Sequence, residues 1–146
     1  MARGPALDRA TAKQLMTIEY DRLVAQLQTL GPQDWAAPTC NTGWDVRSTV
    51  AHVVGGVDAS ASLREQVRQL RAARKRGGNL VDALSANQVE EHADWSPARL
   101  LDQLTKQAPK AARGRSRTPG LVRRRALPDP MLIEPPRSAP DLRNRI

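Results

Sequence analysis

The sequence predicts an all-α fold: an antiparallel bundle of three or four helices, followed by a basic Pro/Arg-rich tail expected to be disordered. Three observations carry this. Apolar residues recur at intervals of three and four through most of the first 108 residues, no useful length of chain alternates apolar and polar residues as a strand does, and Gly or Pro punctuates the periodic runs. From Pro109 onward the character changes. Seven of the eleven prolines lie there among ten Lys/Arg, and the one apolar patch is Met131-Leu132-Ile133. One bundle domain over residues 1–108 and an unstructured tail over residues 109–146 are the expected organisation.

The first helix is marked by Met16, Tyr20, Leu23, Leu27 and Leu30, spaced by 4, 3, 4 and 3, with Ile18 and Val24 widening the stripe. Gly31-Pro32 ends it, because Gly accepts a left-handed cap and Pro cannot continue the hydrogen-bond ladder. A loop is expected from about residue 33 to 44. Asp45 is placed to cap a long second helix, whose face carries Val46, Val50, Val53, Val57, Arg64, Val67 and Leu70. That helix runs on through the basic stretch Arg71 to Arg76, read as complementing the helix dipole on a solvated face, and stops at Gly77-Gly78-Asn79. Leu80, Val81, Leu84 and Val89 predict a shorter third helix ending near Ala93, and Ser96-Pro97 opens a fourth with Leu100, Leu101 and Leu104. Pro109 is expected to weaken or end it. With aromatic residues at 3%, the core must rest on Leu, Val and Ala, with three tryptophans and one tyrosine as its largest pieces.

Composition narrows the function classes. The net charge of +8 would point to nucleic acid if it were spread over the fold, but the tail from Pro109 carries +7 and the first 108 residues only +1. The tail lacks aromatic residues and any recognised reading motif, so nucleic acid is an unlikely partner, although engagement of the Arg-rich tail stays open as an alternative. Cys40 is the single cysteine and cannot form an intramolecular disulfide; the chain opens on no signal-peptide pattern and has no apolar run of spanning length. A cytoplasmic location without a membrane partner is expected.

Asp34-Trp35, Pro38-Thr39-Cys40, Gly43-Trp44-Asp45-Val46-Arg47 and Val50-Ala51-His52-Val53-Val54-Gly55 are similar to the signature of the mycothiol-dependent maleylpyruvate isomerase N-terminal domain. Glu19-Tyr20-Asp21-Arg22-Leu23, Asn79-Leu80-Val81-Asp82-Ala83-Leu84 and Asn87-Gln88-Val89 extend the resemblance over roughly residues 10 to 128. It implies a DinB-like bundle of actinobacterial type, acting with mycothiol on small electrophilic substrates. It also implies a divalent metal, commonly zinc, held by a histidine on the second helix, here His52. In such relatives the two further ligands, an acidic residue and a histidine four apart, come late in the domain. This sequence contains no such pair, so the resemblance implies a bundle and a metal site that are truncated, and enzymatic activity is left open.

The residues allow other readings. His52 borders the apolar stripe, where a histidine satisfied by a hydrogen bond beside the core is the alternative to a metal ligand. His92, in Glu90-Glu91-His92, has poor spacing for shared ligation and is read as part of a solvated polar face. Cys40 is read as loop packing rather than a nucleophile, Trp35 and Trp44 as pinning the loop, and Tyr20 as core with its hydroxyl at the rim. A bundle lacking a helix leaves apolar surface uncovered, so self-association as a non-catalytic interaction module is the competing function.

Overall fold

The computed structural model describes residues 8–117, and among them the fold is all-helical: α1 (Arg9–Gln28), α2 (Pro32–Trp35), α3 (Val46–Ala61), α4 (Leu63–Arg76), α5 (Leu80–Glu91) and α6 (Pro97–Arg117). Of the tail expected over residues 109–146, residues 109–117 belong to α6 instead, and residues 118–146 lie outside the described residues. No helix among the described residues is long and apolar enough to cross a membrane.

Local chemistry sets the helix ends. The Asp8 carboxylate accepts from the backbone N–H of Ala10 and Thr11 at 2.8 and 2.9 Å and so opens α1, seven residues before Met16 begins the stripe. Those bonds and the Thr11 hydroxyl hold the Asp8 carboxyl below its ordinary range. Within the expected loop, Pro32 starts the single turn of α2, with Asp34 accepting from the Gly31 N–H at 2.8 Å. Trp35, at the end of that turn, is buried in the core.

The long second helix expected from residue 46 to 76 is two helices. Ser62 takes an extended conformation (φ −140, ψ 119), closing α3 and capping α4 through its hydroxyl. The small, polar stretch before it offers no apolar face to hold one straight rod against the core. Gly77 and Gly78, both at positive φ, then turn the chain, and Asn79 caps α5 by accepting from Val81 and Asp82.

α6 departs most from expectation, because it runs through Pro109 to Arg117. An interior proline costs about 3 kcal/mol, since it removes the bond to the carbonyl four residues back. Burial offsets this: Ala108, Ala111 and Ala112 are at most 6% exposed on either side of the exposed Pro109. α6 packs along both α1 and α3, whereas α1 and α3 touch little directly. The core gathers around it, with Leu100, Leu104 and Ala111 meeting Leu27, Trp35, Val50, Ala51, Val54 and Val57. At Gly114 a side chain would collide with the backbone carbonyl of Ser60, so the absence of a Cβ allows α6 to cross the end of α3 at this distance.

A polar seam runs between α3, α4, α5 and α6. Gln69 donates to the Gly55 carbonyl at 2.9 Å and to Glu65 at 3.0 Å, while Gln88 donates to Gln69 at 2.8 Å. Gly55 lies so near Gln88 that a Cβ there would stand 2.6 Å from Gln88 Cγ. Arg68 bridges Glu65 and Glu91, and its hydrogen bonds to Glu65 hold that carboxyl below its ordinary range. Asp58 accepts from Gln103 at 2.8 Å, yet burial pushes its carboxyl above the ordinary value of 3.8.

Two outcomes follow. Gly114→Ala forces α6 off α3 and should destabilise the protein by roughly 1–3 kcal/mol in urea unfolding; an unchanged midpoint would mean that the helices do not meet there. For Asp58 the raised folded-state pKa means that its contribution is present below pH 3.8 and lost as pH rises through the folded value, so the charged form weakens the fold at neutral pH. Asp58→Asn keeps an acceptor for Gln103, so its melting temperature at pH 7 should exceed that of the parent, with the gap narrowing towards pH 4.

Candidate functional site

The loop between α2 and α3 is a fixed platform. Pro38 and Asp45 form an isolated antiparallel bridge, Val46 donates to the Ala37 carbonyl at 3.0 Å, and both the backbone N–H and the hydroxyl of Thr39 reach the Trp44 carbonyl at 3.0 Å. Gly43 at φ +83 makes the tight return before Trp44. Asp45 then accepts from the Ser48 N–H at 2.7 Å, which starts α3 and, with the Ser48 hydroxyl, holds the Asp45 carboxyl below its ordinary range.

This platform sets Trp44 against His52, one and a half turns into α3, with ring centroids 5.3 Å apart and planes tilted by 51°. His52 lies on the flank of α3 away from Val50, Val54 and Val57, beside Thr49, Val53 and Gly56, all half-buried. Its Nδ1 is buried and has no hydrogen-bond partner. A buried, unpaired polar atom of this kind typically costs about 1–3 kcal/mol. The unmet nitrogen gives His52 capacity to bind something beyond the bonds formed here.

The other expected residues fall elsewhere. Cys40 is exposed in the same loop as a free thiol, with no cluster around it. Trp35 anchors the loop in the core, and Tyr20 packs against that core while lining a 150 Å³ cavity between α1 and α6. That cavity, also lined by Val24, Ala108 and Pro109, includes neither histidine.

His92 corrects the expectation of a solvated face, being only 5% exposed. Its Nδ1–H donates to the Gln88 carbonyl at 2.7 Å, and its ring meets Trp95 edge-on at 4.5 Å, with the Arg99 guanidinium 3.8 Å from the centroid of the Trp95 ring. α5 does turn its polar side inward, which brings His92 into electrostatic reach of Asp58 and Glu65. No group of three His, Cys, Asp or Glu side chains able to hold a metal forms among the described residues. The described residues therefore supply one buried, unpaired imidazole nitrogen and no set of three metal-ligating side chains.

Sequence reasoning did not single out Asp58, Gln69, Gln88 and Gln103, which make up the seam. The available signal was their position on the inward faces of their helices. Pattern reading takes such residues for breaks in the stripe.

Residues 16–141 match the mycothiol maleylpyruvate isomerase N-terminal domain, a span that includes the Trp44 platform, His52 and residues 118–141. No curated protein and no solved structure matches the chain. The chain thus belongs to the mycothiol maleylpyruvate isomerase N-terminal domain family and is a DinB-like, mycothiol-associated helical domain.

Proposed function

We propose that this domain presents His52 as a single ligand towards a divalent metal, zinc being the usual ion of the family it belongs to, with the other ligands drawn from outside the described residues. The buried, unpartnered Nδ1 of His52 carries this reading. Trp44 supports it by holding the ring from one side, so that the imidazole is already oriented before anything binds. A catalytic zinc normally takes three protein ligands and keeps a fourth position open, and the described residues do not meet that requirement. No reaction step is therefore assigned to the metal. Within the family context, the corresponding activity is mycothiol-dependent isomerisation or transfer of a small electrophile in the cytoplasm.

A second copy of the chain is the proposed source of the missing ligands. Leu15 and Ile18 on α1 are 44% and 38% exposed and offer an apolar contact to a partner. The competing reading is a non-catalytic module that self-associates with no metal involved, and there metal removal would leave the sedimenting species unchanged.

Elemental analysis of the purified full chain tests the metal reading. Zinc should remain in fixed ratio to protein after gel filtration, vanish in His52→Ala and persist in His92→Ala, with metal removal shifting the sedimenting species towards monomer. Protein free of zinc after growth and reconstitution with the metal would overturn the reading.

A further inference from the structure

The outward face of α4 is the second surface that the fold leaves unexplained. At about 100° per residue, Leu63, Arg74, Val67, Arg71, Arg64 and Lys75 all fall within roughly 120° of the helix circumference. Four of these six side chains are cations and none is an acid. Glu65 lies on the opposite side, where it pairs with Arg68, and Glu90 and Glu91 of α5 are taken by Arg76 and Arg68. Arg64, Arg71, Arg74 and Lys75 form no ion pair among the described residues. Dipole complementarity accounts for Arg74, Lys75 and Arg76 in the last turn, but not for Arg64 in the first.

Aliphatic side chains share this face. Leu63 is 76% and Val67 38% exposed, one turn apart at the edge of the basic strip, and Leu80 and Val81, just past the Gly77-Gly78 turn, are 38% and 59% exposed. The face therefore presents an aliphatic edge beside a row of cations spanning roughly 16 Å at 1.5 Å per residue. Nucleic acid would use the cations but leave Leu63 and Val67 against water or phosphate, and the face has no aromatic ring for base stacking. An anionic bilayer uses both parts, since headgroup phosphates meet the guanidinium groups while short aliphatic side chains enter the acyl boundary.

We propose that the outward face of α4 docks on an anionic lipid surface, laying the bundle on the membrane rather than through it. Binding of this kind needs no spanning helix. Glu65, the one carboxylate within α4, falls about 200° around the helix from Leu63 and is paired with Arg68, so it does not offset the charge of the contact face.

Co-sedimentation of the full chain with vesicles tests it, using phosphatidylcholine alone and phosphatidylcholine mixed with phosphatidylglycerol. Binding is expected only to the mixed vesicles, and it should weaken with salt. The double variant Arg71→Gln, Arg74→Gln removes two exposed cations that bridge nothing, and should lower the partition coefficient roughly thirty-fold. Leu63→Ser should lower it roughly tenfold while leaving the salt dependence unchanged. The triple variant Arg123→Gln, Arg124→Gln, Arg125→Gln should retain most of the binding. The proposal is overturned if the mixed vesicles fail to bind, if the tail variant loses binding while the α4 variant keeps it, or if Leu63→Ser binds as the parent does and duplex DNA displaces the vesicles.

Discussion

The fold depends on α6 staying helical past Pro109. Helices α1 and α3 have little contact with each other, so their association passes through α6, which lies along both. Its first half supplies Leu100 and Leu104, completely buried in the core, and burial of each side chain is worth about 1.5–3 kcal/mol. Its second half supplies Ala108, Ala111, Ala112 and Gly114, whose small size draws the helix against its neighbours. A single lost hydrogen bond at Pro109 is a modest cost beside the surface that would reopen if the helix ended there.

The seam between α3, α4, α5 and α6 follows another logic. Its amide groups satisfy one another and the Gly55 carbonyl, while Gln88 Oε1 remains without a partner. Buried polar groups favour one arrangement of helices over others because a shifted register leaves more of them unpaired. The near contact of Gly55 with Gln88 applies the same restriction sterically. Burial of His92 and the raised pKa of Asp58 belong to this seam, and therefore to the packing of the helices rather than to chemistry at His52.

Family membership and a working site are separate matters in this chain. The loop platform, the capping aspartate and the Trp44–His52 contact are all present, and each is built from residues within nine positions of one another along the chain. A metal site needs ligands from distant parts of the sequence, and among the described residues no such set assembles. Local geometry thus holds His52 in place through contacts made close by in the chain.

What the sequence determined alone was local. Apolar spacing pointed to the helical class and the stripe on α1, Asp45 and Ser96-Pro97 marked helix starts, Gly77-Gly78-Asn79 marked a stop, and the motif around Trp44 and His52 pointed to the family; each signal acts within a few residues of backbone. Tertiary structure decided the rest. Whether Pro109 ends a helix depends on the surface buried on both of its sides. Whether residues 46 to 76 form one rod depends on what lies opposite the polar stretch before Ser62. Whether His92 meets water depends on how α5 is turned by Gln69 and Gly55, residues 23 and 37 positions away in the chain. Periodicity reports which residues share a face, but the partner that covers the face is chosen by the packing of the whole bundle.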